Sequence, residues 1–170
     1  LALAVAERLG VPAGAAAEGV SAVGAGAMRG EVRRVGDLTV LVDCYNANPP
    51  SVRAALDLLA ERTGGKKVAV LGSMLELGAS SAALHAEVLL HALSLRLGLV
   101  VAIGAFADAA SGIRDDRIVT ATDWKSAYPT LRDRLAGDEV VLLKASRGVA
   151  LEGMLPLLAA DFGAALVEEA

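Results

Sequence analysis

"LTVLVDCYNANPPSVRAALDLLA", residues 38–60, contains the change of rhythm on which the fold reading turns. Residues 38–43 form a short apolar run rich in β-branched side chains, the pattern of a strand buried on both faces. Asp43 ends the run, and Tyr45, Asn46, Asn48 and the pair Pro49–Pro50 follow. Beyond the prolines Val52, Ala55, Leu56, Leu59 and Ala60 recur at helical spacing. A buried strand that passes through a short polar loop into an amphipathic helix is the opening of a βαβ unit.

Working outward, the alternation continues. "KVAVLG" (67–72), "LGLVVAIG" (97–104), "DRIVTA" (116–121) and "EVVLLK" (139–144) read as further strands. Helices are expected over 81–96, with Leu84, Val88, Ala92 and Leu95 inward, over 123–136, and over about 148–160. Pro129 disturbs the second of these, because an interior proline removes a hydrogen bond and clashes with the preceding turn; a helix that starts near Pro129 is the alternative. The expected class is α/β, a mainly parallel sheet with helices on both faces. Ahead of it, residues 1–9 and 13–23 read as two helices. Residues 24–36 form a glycine-rich, charged connector with a short strand near Glu31–Val35.

Bulk properties exclude several classes. A chain of 170 residues holds one domain, or one domain with a small appendage. Aromatic residues make up only 3%, leaving few platforms for stacked bases or sugars. The net charge is -4 with scattered Lys and Arg, so nucleic acid is not an expected partner. The single cysteine, Cys44, cannot form an internal disulfide, which suits a reducing, cytoplasmic setting. The longest apolar run, near residues 89–110, is broken by His91, Arg96 and glycines, and membrane insertion is not expected. "LALAVAERLG" lacks the basic start of a signal peptide. It begins inside a helical pattern without Met, which points to a piece of something longer.

Parallel sheets bind ligands at the carboxyl ends of their strands. Three loops qualify: 43–50, 72–80 and 144–148. In the first, Asn48 suits a helix N-cap and Pro49 a first helical position, and capping alone explains both. It does not explain Asp43, Tyr45 and Asn46, which offer a carboxylate, a flat ring and an amide to a polar ligand. The second, "LGSMLELGASS" (71–81), carries Glu76 between apolar residues, and taken alone it reads as a flexible βα loop with a serine cap. The third, "LLKASRGVALEGM" (142–154), sets Lys144, Ser146 and Arg147 at a strand-to-helix junction, an arrangement suited to an anion; a solvated basic turn is the plain alternative. The sequence contains no G-x-x-x-x-G-K-[ST], G-x-G-x-x-G or H-E-x-x-H. His85 and His91 share a helix but not metal-ligand spacing, and no metal site is expected.

These three loops, in this order, resemble the C-terminal domain of the Mur ligases. "DCYNANPPSVRAAL" is similar to D-S-Y-N-A-N-P-x-S-M-x-A-A-L, "VLGSMLELG" to V-L-G-D-M-L-E-L-G, and "LLKASRGVALE" to V-K-G-S-R-x-x-x-M-E. The Asn-Ala-Asn form resembles the branch that joins D-alanyl-D-alanine to UDP-N-acetylmuramoyl-tripeptide in peptidoglycan precursor synthesis. The resemblance implies a Rossmann-like domain over 37–170, preceded over 1–36 by a connector and the tail of a central ATP-binding domain. It implies ATP and Mg²⁺ as cofactors, the two peptide substrates as partners, and an acyl-phosphate route. The P-loop would lie in the missing domains, so this piece would be inactive alone. Arg29, Asp43, Tyr45, Asn46 and Asn48 would contact the nucleotide, and Lys144, Ser146 and Arg147 the acceptor and the peptide end of the UDP substrate; no catalytic residue is assigned. The family has a histidine at the place of His85, without an assigned role. Ser73 departs from the family's Asp and Ala145 from its Gly, and Arg29 is followed rather than preceded by glycine. The rival readings are a sister ligase, which the Asn-Ala-Asn motif opposes, and a stand-alone nucleotide-binding module.

Overall fold

The computed structural model describes residues 2–22 and 28–163. Two short helices, α1 (Ala2–Arg8) and α2 (Ala13–Ala22), pack on each other and precede an alternating series. That series runs β1 (Glu31–Val35), β2 (Leu38–Asp43), α3 (Pro49–Glu61), β3 (Lys67–Leu71), α4 (Ser81–Ser94), β4 (Leu99–Ile103), α5 (Ala105–Ala109), β5 (Ile118–Ala121), α6 (Trp124–Arg134), β6 (Val140–Lys144) and α7 (Leu155–Phe162). The six strands form one sheet in the order β1-β2-β6-β3-β4-β5, parallel throughout except for the antiparallel β1–β2 pair. The expected class is therefore the one observed.

Both faces of the sheet are covered, which is why its strands read as continuous apolar runs. Val40, Val42, Val68, Val70, Val141 and Leu143 meet Tyr128 and Leu131 of α6, Leu158 of α7 and Met154 just before it on one side. Their alternating neighbours Leu41, Ala69, Leu71, Val100 and Leu142 meet Leu56 and Leu59 of α3, Leu89 of α4 and Phe106 of α5 on the other. Strand β1 is the exception. Its three central residues are exposed, and Arg33 and Arg34 charge an edge that an apolar strand would leave open to pairing.

Helix α6 matches the helix expected over 123–136 and not the alternative start near Pro129. It begins at Trp124 because Asp123 caps it: Asp123 Oδ1 accepts from Ser126 N at 2.8 Å, and Ser126 Oγ accepts from Asp123 N at 3.3 Å. Pro129 sits inside the helix and leaves the carbonyl four residues earlier without its usual donor. The closing helix expected over 148–160 is two 3₁₀ turns, Arg147–Val149 and Leu151–Met154, with α7 beginning only at Leu155. Ala150 separates the turns in a left-handed conformation (φ 56°), which a continuous helix cannot contain. Helix α5 is absent from the elements expected from sequence. Residues 24–27 of the connector, residue 1 and residue 23 lie outside the described residues; the short strand at Glu31–Val35 is present.

The register positions the site. Asp43 pairs across to Lys144, and Lys144 across to Leu71, so β2, β6 and β3 end side by side. The three loops that leave them are thereby brought to one place at the carboxyl edge.

Candidate functional site

The first loop is rigid for local reasons. Asn48 Oδ1 accepts from Ser51 N at 2.9 Å and Ser51 Oγ accepts from Asn48 N at 3.1 Å, a reciprocal capping box that starts α3, with Pro49 and Pro50 in its first turn. Asn46 and Tyr45 are left exposed by this turn, while Ala47 is buried beneath it. Together Arg29, Asp43, Tyr45, Asn46, Asn48, Ser51 and Lys144 line a cleft of about 240 Å³. All five residues assigned to the nucleotide from sequence thus converge, and Lys144 of the acceptor group joins them. Asp43 and Ser51 also line an adjoining groove of about 280 Å³ walled by Leu41, Ala54, Ala55, Leu58 and Leu142. A polar cleft thus adjoins an apolar one.

Lys144 does not reach outward. It is 2% exposed, its Nζ donates to Asn46 O at 2.6 Å, and it pairs with Asp43 Oδ2 at 2.8 Å. A buried ammonium needs that many partners, since leaving water unpaired costs several kcal/mol on the order of magnitude known for ions. Ser146 is likewise enclosed. Its hydroxyl accepts from Leu75 N at 2.9 Å and donates to Ala47 O at 3.4 Å, and its backbone N donates to Ser73 O at 3.2 Å. One serine thus ties the third loop to both others. Arg147, the next residue, is exposed.

Ser73, where the family pattern carries Asp, accepts from Ala105 N at 3.0 Å and so secures the start of α5. Ala145 is fully buried and is not among the residues with positive φ, so the alanine imposes no backbone penalty there. The requirement for glycine falls on its neighbour instead: a Cβ at Gly72 would come within 2.8 Å of both Ala145 Cβ and Val149 Cγ1.

His85, left without a role by sequence reading, acquires one. Its Nε2 accepts from Met74 N at 2.9 Å, so Nδ1 carries the proton and donates to Ser81 O at 2.7 Å; the ring lies edge-on to Phe106. The imidazole is fully buried and latches the second loop to the first turn of α4. Held at Met74 by His85 and at Leu75 by Ser146, the chain turns through Glu76 with φ 65°, a left-handed conformation uncommon for this residue type. Only the tertiary partners reveal this; a lone histidine eleven residues from the Met74 N–H it accepts carries no local signal.

Beneath the site Cys44 donates its thiol to Leu143 O at 3.3 Å. Burial, aided by the charges of Glu152 and Asp43, pushes its pKa up to about 12, so it is an inert protonated thiol. Above the site the Tyr45 ring carries the Arg29 guanidinium 4.1 Å from its centroid and that of Arg147 at 5.5 Å.

The pattern of the family described as Mur ligase, glutamate ligase domain, matches residues 28–147, the span that holds the first two loops and the third as far as Arg147. The chain belongs to the Mur ligase family. A UDP-N-acetylmuramoyl-tripeptide–D-alanyl-D-alanine ligase of Treponema pallidum is 35% identical over 161 residues, covering 92% of this chain and 35% of the relative. One from Bacillus subtilis is 33% identical over 165 residues, covering 89% and 35%. The chain therefore spans about a third of the length of these curated relatives. Among solved structures, a MurF from Acinetobacter baumannii superposes with TM-score 0.83 at 29% identity over 93% of this chain and 35% of that one. A MurF ligase from Thermotoga maritima in complex with ADP gives 0.74 at 28% identity, over 94% and 36%.

Among the described residues no three His, Cys, Asp or Glu side chains gather as a metal site, and Asp43, the carboxylate lining the cleft, is already paired with Lys144. Nor is any helix among the described residues long and apolar enough to cross a membrane.

Proposed function

We propose that the chain is the closing part of an ATP-dependent ligase that joins D-alanyl-D-alanine to UDP-N-acetylmuramoyl-tripeptide. Residues 37–170 are its C-terminal domain, and 1–36 are the connector and the tail of the ATP-binding domain. The observation that carries this reading is the convergence of Arg29, Asp43, Tyr45, Asn46, Asn48 and Lys144 on one cleft within a Mur ligase domain. The relatives' names supply the two substrates.

In this reading Asp43, oriented by Lys144, accepts from the ribose hydroxyls, and the free amide donors of Asn46 and Asn48 face the nucleoside. Arg29 lies toward the phosphates. The third loop serves the acceptor side, Lys144 and Ser146 by holding the backbone and Arg147 through its exposed guanidinium. ATP transfers its terminal phosphoryl group to the tripeptide carboxylate, and the dipeptide amine then displaces phosphate to form the amide. The preceding domains supply most of the electrostatic stabilisation of phosphoryl transfer, so the chain alone is inactive. A reducing, cytoplasmic location fits nucleotide-linked substrates.

The test is a chimera in which this chain replaces the matching third of the Treponema pallidum relative. A folded chimera should release phosphate from ATP only when both UDP-N-acetylmuramoyl-tripeptide and D-alanyl-D-alanine are present, and Asp43→Ala should raise KM for ATP. A folded chimera without dipeptide-dependent release would overturn the reading. Tight ADP binding by the chain alone would favour a stand-alone nucleotide-binding module instead.

A further inference from the structure

We propose that Tyr45 is a positioning residue that gathers Arg29 and Arg147 into a single clamp for phosphate oxyanions. The proposal takes the ligand class from the nucleotide reading above; the gathering itself rests on geometry alone. The two arginines come from opposite ends of the chain, one from the connector and one from the third loop, yet both guanidinium carbons lie within 6 Å of the centroid of one ring, the range in which a cation is attracted to its face. Two like charges placed together repel unless something opposes them. Here the ring offers part of the compensation. Among the described residues neither arginine has a carboxylate partner, so an incoming anion supplies the rest.

The rest of the cleft does not compete for that anion. Lys144 is neutralised by Asp43 and spends a further donor on Asn46 O, so the open positive charge at this end of the sheet is that of the two arginines. A cation held by a ring through its charge keeps its N–H donors for other partners, and a guanidinium offers phosphate oxygens a bidentate fork.

Both arginines are anchored at their backbones. Tyr45 N donates to Met28 O at 3.3 Å, which straps the connector to the first loop. Met28 (φ 60°) and Gly30 (φ 67°) flank Arg29 in left-handed conformations, so the chain reverses sharply on either side of it. Arg147 follows Ser146, which is fixed by its bonds to Leu75 N and Ala47 O. A single ring from the first loop thus couples the connector to the third loop. In the proposed reaction the phosphoryl group passes from the nucleotide to the tripeptide carboxylate, and a clamp built from one arginine of the connector and one of the third loop would hold its oxygens.

The experiment is side-chain NMR of the full chain, with inorganic pyrophosphate and ADP as probes. In the wild type the side-chain protons of both arginines should be shifted upfield by the Tyr45 ring, and both Nε signals should titrate with pyrophosphate at one shared midpoint. Tyr45→Phe keeps the ring and should keep both properties. Tyr45→Leu should lose the upfield shifts, separate the two midpoints and weaken pyrophosphate about two- to fivefold, the range of an exposed cation–π contact. Tyr45 is 38% exposed, so either variant should retain the wild-type melting temperature. Absent upfield shifts in the wild type would overturn the gathering, and unmoved Nε signals on adding pyrophosphate would overturn the anion clamp. Pyrophosphate binding with no tighter binding of ADP would leave the clamp standing and count against the nucleotide reading instead.

Discussion

Lys144→Met separates a structural tie from a substrate contact. The unbranched methionine fills the volume of the lysine stem and deletes the ammonium, so the packing survives while two interactions vanish. Asn46 O loses a donor at 2.6 Å, and Asp43 loses an ion partner at 2.8 Å. Breaking a fully buried pair costs about 3–5 kcal/mol. Here the Asp43 side chain is 24% exposed and can recover some hydration, which moves the expected loss toward the about 1.5–3 kcal/mol of a hydrogen bond to a charged group. At roughly 3 °C per kcal/mol for a domain of this size, the melting temperature should fall by about 5–9 °C. A cycle with Asp43→Ala should show the two changes to be non-additive by about 1 kcal/mol or more, because each removes the same pair. Calorimetric or dichroism melts of the four proteins give both numbers. If Lys144→Met melts within about 2 °C of wild type while ligand binding collapses, the ammonium serves the ligand and the argument made here from burial is wrong.

Two further perturbations probe the frame around the site. Arg117 donates to Leu93 O at 3.0 Å and Leu95 O at 3.2 Å, closing the end of α4, and to Asp115 Oδ2 at 2.6 Å; Arg117→Ala should speed amide exchange in the last turn of α4, measured by hydrogen exchange. The hydrogen bonds and charge of Arg117 hold the Asp115 carboxyl at about 2, below its unfolded value of about 3.9, so the stability this pair contributes is full above about pH 4 and lost as pH falls toward 2. The wild type should therefore lose stability across that window more steeply than Arg117→Ala, and equal slopes would count against the pair. Gly72→Ala should destabilise by about 1–3 kcal/mol through overpacking against Ala145 and Val149, and adding Ala145→Gly should restore part of the loss; denaturant titrations that show no recovery would place the strain elsewhere.

How much of this was legible in the sequence depends on how local each feature is. The strand series and the Asn48 cap were readable because continuous apolar runs and N-cap chemistry are written within a few residues. Helix α5 escaped because five residues, Ala105–Ala109, are too few to display a helical period. The start of α6 was legible in the Asp123–Ser126 box, but Pro129 weighed against it, and the tertiary packing of Tyr128 and Leu131 outweighs the one hydrogen bond lost. Convergence of the three loops followed from parallel topology. The charge state of the site did not. That Lys144 would be spent on Asp43 depends on β6 inserting beside β2 with Asp43 opposite Lys144, a pairing across 100 residues that no local pattern encodes.

The same long-range pairing determines where the site can still move. The first loop cannot shift without breaking the two Lys144 contacts and the bond from Ser146 to Ala47 O; the second is held through His85 and Ser146; the third contains Ser146 itself. A ligand that orders this site therefore gains little from rearranging its loops. What remains exposed is the arginine pair, joined to the frame through the Tyr45 ring and the bond from Tyr45 N to Met28 O. The frame supplies the fixed acceptors, and the two side chains supply the open charge. Under the ligase reading proposed above, a ligand that contacts Arg29 would therefore reach the third loop only as far as Tyr45 couples Arg29 to Arg147.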